Sequence, residues 1–371
     1  MKLFAGNKAS VAVVCLIAAC SLSAFARTRQ DRVPAGGDIV TVASTVPANG
    51  DLNPYGVAVV PETTGSLVAG NILVSNFNNS SNLQGTGSTI VQITPSGTVT
   101  LFAQINAATV PGPCPGGVGL TTALSVLRSG WVIVGSLPTT DGTSATAQAG
   151  CLLVLNNWGS VVGTFYGSLI NGPWDMAVSD AGSTASLFVT SVLNGTVAGG
   201  GSEVFAGTVI RLNLTGLSGS MPTLESITVI GSGFAERTDP VALVIGPTGV
   251  GLSPDGSILY VADTLNNRIA TIANPLTATT SAGTGTTLTL GGVLSGPLGM
   301  TVITDGSIIT VNGNNGYLGG FTTGGALIAQ KLLDDIGDPP GVGALFGLAH
   351  VQGQGLYYVD DNTNTLNLWE Q

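Results

Sequence analysis

Short apolar segments and polar turns alternate along almost the whole chain. Val, Ile and Thr recur in runs of four to six residues, and clusters of Gly, Asn and Ser separate these runs. Short apolar runs bounded by turn residues are typical of β-strands, and beyond the N-terminus no window keeps helical spacing for more than about ten positions. The pattern therefore predicts an all-β protein.

The apolar segments repeat as six related units. Each unit starts with an apolar strand, turns into a second strand that ends in a polar tip, and continues into a third strand. The units begin at Asn53 (NPYGVAV), Thr121 (TTALSV), Gly172 (GPWDMAV), Gly246 (GPTGVGL), Gly296 (GPLGMTV) and Leu345 (LFGLAHV). Spacings of about 50 to 75 residues leave room for four antiparallel strands per unit, so we expect six blades of four strands each.

The last unit is incomplete, because the chain stops after TLNLWEQ with three strands. A separate apolar segment, DIVTVAST at residues 38–45, precedes the first unit. We expect this segment to form the outer edge of the sixth blade and to close the ring by pairing the two ends of the chain. Closure removes exposed sheet edges, which otherwise promote aggregation.

The clearest copy of the repeat is GPTGVGLSPDGSILYVADTLNNRI, at residues 246–269. The repeats resemble NHL repeats, and the resemblance covers most of the mature chain and implies a six-bladed β-propeller. The same stretch is similar to a phrase of the gluconolactonase and senescence-marker family, which binds a divalent metal through a Glu, two Asn and an Asp around the channel. At three of these positions the present sequence has Asn53 for Glu, Thr248 for Asn and Leu298 for Asp. The comparison therefore implies that this metal site is absent.

The N-terminus has the layout of a secretory signal. Lys2 and Lys8 precede an apolar stretch that ends at Cys20, and Ala24-Phe25-Ala26 offers small residues for cleavage. An alternative stays open, because the sequence Ile-Ala-Ala-Cys ending at Cys20 resembles a lipoprotein signal that would anchor the protein to a membrane. Either signal predicts an exported, periplasmic or extracellular protein with this organisation: signal peptide 1–26, short flexible N-terminus 27–37, single six-bladed propeller 38–371.

Charge and cysteine content narrow the set of partners. Removal of residues 1–26 leaves eight basic and twenty acidic side chains, a net charge of −12. Nucleic acid is therefore excluded as a partner, and we expect membrane contact only through a lipid on Cys20. Cys114 and Cys151 lie beyond the signal, and in an oxidising compartment they predict one disulfide, with two separately buried thiols as the alternative. We expect the protein to be a monomer.

Few residues are candidates for catalysis or ligand binding. The chain has one histidine, His350, at a position expected to face the core, so a site built from several histidines is excluded. Asp175 is the sole carboxylate at its position in the six units, and Trp174 precedes it, where Tyr55 and Phe346 stand in their own units. Two interpretations stay open. These rings plug the channel while Asp175 binds backbone amides, or the four residues form a shallow pocket for a sugar or a peptide side chain.

Two structural roles follow from the repeat. At the polar tip of the fourth unit, Asp263 is expected to cap the amides of its loop. Small residues at one matching position of the first strands are expected to line the central channel: Ala58, Ser125, Ala177, Gly251, Thr301 and Ala349.

The sequence thus favours a non-catalytic binding or protein-interaction module without a cofactor, with an unknown protein, peptide or carbohydrate as its ligand. The alternative is a metal-dependent, lactonase-like hydrolase with a divergent channel site. It would use Asp175, Asn53 and a loop carboxylate from Asp239 or Glu236, with Ca²⁺ as the ion.

Overall fold

A computed structural model describes residues 1–2, 32–34, 36–219 and 221–371. By its internal contacts the chain divides into a short unit, Met1–Gln30, and a large unit, Asp31–Gln371. The predicted signal peptide, including Cys20, lies outside the described residues except for its first two positions.

In the described residues, 25 strands form six antiparallel sheets that follow one another along the chain. In chain order the strands are β1 (Ile39–Ser44), β2 (Leu52–Val59), β3 (Ile72–Asn78), β4 (Thr89–Ile93), β5 (Val99–Gln104), β6 (Leu120–Val126), β7 (Val132–Ser136), β8 (Cys151–Leu155), β9 (Val161–Phe165), β10 (Pro173–Asp180), β11 (Ala185–Ser191), β12 (Val204–Thr215), β13 (Thr223–Asp239), β14 (Leu243–Ile245), β15 (Pro247–Leu252), β16 (Ile258–Asp263), β17 (Arg268–Ala273), β18 (Thr286–Leu290), β19 (Pro297–Val302), β20 (Ile308–Asn312), β21 (Tyr317–Phe321), β22 (Leu327–Leu332), β23 (Leu345–Val351), β24 (Gly355–Asp360) and β25 (Thr365–Glu370).

The sheets are the blades of a propeller. Blade 1 consists of β2–β5, blade 2 of β6–β9, blade 3 of β10–β14, blade 4 of β15–β18, blade 5 of β19–β22, and blade 6 of β23–β25 with β1. The first strands of the blades contact one another in succession, and β23 contacts β2 to complete the circle. The predicted all-β, six-bladed propeller is confirmed.

The two ends of the large unit close the ring together. β1 runs antiparallel to β25, with Ile39 opposite Trp369 and Ser44 opposite Thr365. Beyond the strand, the Thr45 hydroxyl donates to the carbonyl of Asn364 at 3.0 Å. The fourth strand of blade 6 is therefore supplied by the N-terminal segment, as the sequence predicts.

Helices are short and lie in the connections. The described residues contain one α-helical turn and three 3₁₀ turns: Thr196–Gly199, Ala107–Thr109, Ser144–Thr146 and Thr264–Asn266. None of the helices in the described ranges is long and apolar enough to span a membrane.

Blade 3 departs from the predicted four strands. β13 is 17 residues long, and its end folds back onto a fifth strand, β14, with Arg237 opposite Ile245 and Asp239 opposite Leu243. We call residues 237–245 the hairpin. It lies in the connection to blade 4, and its tip packs in the same apolar cluster as first-strand residues of other blades.

Hydroxyl groups on the second strands tie neighbouring blades together. The Ser75 hydroxyl accepts from the amide of Gly56 and donates to the carbonyl of Thr121 in blade 2, both at 2.9 Å. In blade 3, the Thr190 hydroxyl donates to the carbonyl of Thr248 in blade 4 at 2.7 Å. These bonds fix the spacing of the first strands that surround the channel.

The first strands also share an irregularity in register, at the position of Asp175. Glycine is needed there in blades 5 and 6, since a Cβ at Gly299 would collide with the carbonyl of Phe346, and a Cβ at Gly347 with that of Tyr55. The close approach of adjacent blades therefore explains why the repeat keeps Gly at this point.

Cys114 and Cys151 form a disulfide, with their Cα atoms 5.1 Å apart. This confirms the predicted pairing. The bond links the loop before β6 to the first residue of β8, and the Thr164 hydroxyl of β9 donates to the carbonyl of Pro113 at 2.8 Å in the same loop. The loop is thus attached to two strands of blade 2.

The prediction for Asp263 is wrong in its detail. Its carboxylate accepts from the side chains of Asn266, at 3.0 Å, and Arg268, at 2.7 Å, with no bond to an amide of the loop. A guanidinium provides a stronger, charge-assisted donor than a backbone amide, and Arg268 at the start of β17 places it within reach.

Candidate functional site

A cavity of about 270 Å³, which we call the well, occupies the centre of the ring and is lined by all six first strands. The six small residues predicted to line the channel all do so, which confirms that prediction: Ala58, Ser125, Ala177, Gly251, Thr301 and Ala349. The remaining wall is mostly aliphatic, from residues such as Val59, Met176 and Leu252.

The well opens toward the turns between the first and second strands. Along β10, Asp175 and Met176 are buried, whereas Ala177 and Val178 are half-buried. β2 shows the same change from Ala58 to Val59. Since the first strands run toward those turns, the mouth of the well is at that face, and Asp175 lies at the inner end.

Aromatic side chains close the other end of the channel. The Tyr55 ring stacks on Phe77 and on Phe346, with centroids 4.4 and 3.9 Å apart, and Trp174 is 6.5 Å from Phe346. All four are buried, and Leu298 packs in the same cluster. The structure thus brings Tyr55, Trp174 and Phe346 together, as a packed layer with no open surface; that they bind a ligand stays a prediction.

The hairpin seals this layer. Ala242 and Leu243 pack into the aromatic cluster, and Leu243 is 2% exposed. Leu243 has φ +62°, and the amide of Val244 donates to the carbonyl of Ala242 at 2.7 Å, which makes Leu243 the centre of a γ-turn with positive φ. Such turns are strained for a residue with a Cβ. The tip is also held by the Gln84 amide, which donates to the carbonyl of Val241 at 3.0 Å.

Polar atoms are trapped at the sealed end. The hydroxyls of Thr121 and Thr122 are buried and make no hydrogen bond, and the Tyr55 hydroxyl has the side chain of Asn53 as its polar neighbour. Burial, together with the nearby carboxylate of Asp361, raises the pKa of Tyr55 well above its ordinary value. Unpaired buried polar groups destabilise a fold, so this end carries a free-energy cost that the apolar packing offsets.

The three residues at the positions compared with metal ligands, Asn53, Thr248 and Leu298, do not form a set of oxygen ligands. The Thr248 hydroxyl is buried and lies 2.7 Å from the hydroxyl of Thr264 and 3.1 Å from the carbonyl of Pro297. Leu298 belongs to the apolar cluster, and Asn53 has φ +58° at the start of β2. Thr248 thus connects blades 4 and 5, where the resemblance would place a ligand.

Asp175 lies at the inner end of the well and bridges two blades. Its Oδ1 accepts from the amide of Met176 at 2.8 Å, and its Oδ2 from the amide of Val250 in blade 4 at 3.1 Å. Burial raises the pKa of Asp175 to about 7, although both amide bonds oppose the increase. The group can therefore change its protonation state near neutral pH and can accept or donate a hydrogen bond in the well.

The other carboxylates named for the hydrolase alternative lie elsewhere. Glu236 is buried, and its Oε1 accepts from the amide of Asn194 at 2.9 Å, while Oε2 has no partner. Burial raises its pKa to about 7. Asp239 pairs with Arg237 at 3.1 Å. Within the described ranges, no three His, Cys, Asp or Glu side chains are grouped so that they could hold a metal ion.

Sequence reasoning missed two features of the site. The positive φ of Leu243 could not be predicted, because nothing in the sequence distinguishes a leucine with this conformation. The nearby Asp239-Pro240 pair does indicate a turn. The burial of Glu236 was also missed, since the strand that carries it alternates irregularly. His350, expected to face the core, is half-buried on β23 opposite Leu356.

Comparison with solved structures finds the same fold. A gluconolactonase from Xanthomonas campestris is 14% identical, with TM-score 0.52 over 91% of this chain and 96% of its own. Regucalcin, a calcium-binding protein from Agrobacterium tumefaciens, is 16% identical, with TM-score 0.55 over 91% and 95%. A luciferin-regenerating enzyme is 11% identical, with TM-score 0.55 over 90% and 94%.

At these identities the likeness shows the fold alone. No protein-family model matches the sequence, and no curated protein does so. The resemblance to NHL repeats therefore stays a prediction.

Proposed function

We propose that this chain is an exported, non-catalytic binding protein that takes a small ligand in the well. The observation that carries the proposal is the contrast between the two ends of the channel. The end where the metal-dependent resemblance would place its ligands is filled by Tyr55, Phe346, Leu298 and Leu243. The opposite end opens into the well, whose volume of about 270 Å³ is close to the lower limit for small-molecule pockets, about 300 Å³.

The hydrolase alternative is less well supported by the arrangement of its residues. Structural neighbours include a gluconolactonase and a calcium-binding protein, and a site like theirs would need several oxygen ligands around one point. Asp175 faces the well, whereas Glu236 binds the amide of Asn194 and Asp239 pairs with Arg237. The three carboxylates are engaged with different partners.

Export is supported by the disulfide, because such bonds persist mainly in oxidising compartments. The N-terminal pattern offers two routes, soluble export after cleavage at 26 or anchoring at Cys20. Cell fractionation and the mass of the mature protein test both routes. For the soluble form we expect the mass of a chain that begins at Arg27.

A thermal-shift screen tests the binding function. Small fragments are added to the wild type, to Ala177→Leu, which fills the well, and to Trp158→Ala, which alters an exposed side chain outside it. At least one fragment should raise the melting temperature of the wild type and of Trp158→Ala but not of Ala177→Leu; a ligand at 100 times its Kd stabilises by about 2.7 kcal/mol.

Calcium and ester hydrolysis test the non-catalytic part. We expect CaCl₂ to leave the melting temperature unchanged and ester substrates to remain intact. A concentration-dependent rise with CaCl₂, together with an esterase signal that Asp175→Ala abolishes along with the rise, would show that the protein is a hydrolase.

A further inference from the structure

We propose that the well binds a small organic ammonium ion, whose charged group contacts the Asp175 carboxylate. This inference rests on the well being the binding site, and it names the class of ligand.

The Asp175 carboxylate has hydrogen-bond partners but no charged partner. Asp175 is 7% exposed, and the amides of Met176 and Val250 are its hydrogen-bond partners. None of the described residues that line the well from β2, β6, β15, β19 or β23 is charged, and Thr190 lies behind Asp175 on β11. Its pKa is raised by burial, with no charged neighbour as a cause. A cation in the well would supply the missing counter-charge.

The walls offer both apolar and polar surface. Aliphatic and small side chains make up most of the lining, although polar atoms supply more than half of its exposed surface, and a cavity of about 150 Å³ is large enough for a benzene ring. The well, at about 270 Å³, therefore has room for a ring and a short alkylamine chain. A ligand of this kind would bury its ring against Val59, Val178 and Leu252 nearer the mouth.

The mouth of the well carries negative charge. The turns and strand ends around this face include four carboxylates and one basic side chain: Glu62, Asp180, Asp255, Asp305 and Arg128. Their sum is −3 at neutral pH, which attracts cations toward the mouth and repels anions.

A bare metal ion fits the well less closely. Ca²⁺ takes six to eight oxygen ligands, whereas the side chains of the lining offer Asp175 and the hydroxyls of Ser125 and Thr301, each on a different strand. A primary ammonium group has three N–H donors, so it needs far fewer acceptors than Ca²⁺.

Calorimetry with the folded, disulfide-bonded protein tests the proposal. The probes are 2-phenylethylamine, its neutral counterpart 2-phenylethanol, and CaCl₂. The variants are Asp175→Asn, Ala177→Leu, and Asp141→Asn as a control in an exposed loop of blade 2. We expect the amine to bind the wild type and Asp141→Asn at least tenfold more tightly than the alcohol does. Asp175→Asn should lose this preference while it still binds the alcohol, and Ala177→Leu should lose both ligands.

Proton release on binding gives a second measurement. If Asp175 had a purely structural role, ligand binding would release no proton from it. At pH 6 Asp175 is mostly protonated, since its pKa is about 7, so binding of the ammonium ion should release about one proton, and at pH 8.5 almost none. This measurement uses the wild type and stands even where Asp175→Asn fails to fold.

The outcomes are distinct. Equal affinity for amine and alcohol, or amine binding without proton release at pH 6, overturns the ammonium class but leaves a binding protein. Heat from CaCl₂ alone replaces the amine with a metal ion. If neither organic probe binds and the fragment screen is empty, both the ligand class and the proposed function are wrong.

Discussion

The Gly variant at Leu243 should be more stable than the Ala variant, which is the reverse of the order usual in a strand. The leucine is buried at the tip of the hairpin, so truncation to Ala should cost about 2 to 5 kcal/mol in lost packing. In the Ala variant the strain of positive φ remains, because a Cβ is still present; that strain is about 1 to 2 kcal/mol. In Leu243→Gly the same packing is lost but the strain disappears. We therefore expect Gly to be more stable than Ala by about 1 kcal/mol.

A matched leucine in an ordinary strand supplies the control. Leu153 is fully buried in β8, pairs with Val134 on one side and Thr164 on the other, and has no positive φ. There the usual order should hold, with Gly about 0.5 to 1 kcal/mol less stable than Ala. Urea unfolding followed by tryptophan fluorescence gives the four midpoints, compared at equal m-values. If Gly is less stable than Ala at both positions, no backbone strain is stored at Leu243.

Two further predictions concern the disulfide and a buried acid. Simultaneous replacement of Cys114 and Cys151 by Ala, which opens a bridge across a sequence separation of 37, should lower the free energy of unfolding by about 4 kcal/mol; an equal urea midpoint for the variant and the oxidised wild type would contradict this. Glu236 has its pKa raised to about 7 by burial, so the folded state binds its proton more tightly, and the stability from this group is present below about pH 4.5 and is lost as pH rises through 7. Between pH 4.5 and pH 8 the free energy of unfolding of Glu236→Gln should therefore rise by about 3 kcal/mol relative to that of the wild type. Urea midpoints of the two proteins that change in parallel over this pH range would contradict the prediction.

The architecture could be predicted because each blade repeats the same local physics. Apolar first strands of six to eight residues recur six times, tight turns such as SPDG and TDG follow two of them, and an unpaired strand at each end leaves one economical way to close the ring. β14 escaped prediction for the opposite reason. Its apolar residues form part of a connection, and their position is decided by contacts with Tyr55 and Phe346, which are remote in sequence.

The site was partly predictable. Asp175 stood out because it breaks the repeat, and the small residues around the channel follow from limited space. Which end of the channel is open did not follow from the repeat, since all blades contribute equally to both ends. That asymmetry comes from the hairpin, which occurs in one blade and has a conformation set by Leu243.

The pairing of β1 with β25 has a consequence for how the protein is made. β1, the first of the described strands, has β25, the last of them, as its partner, and the bond from Thr45 to Asn364 spans 319 residues of chain. Blades 1 to 5 hold all their strands in local order, so they can form as synthesis proceeds, whereas blade 6 has to wait for β25. Until then both ends are unpaired edges, and a nascent chain is most vulnerable to association with its neighbours in that interval.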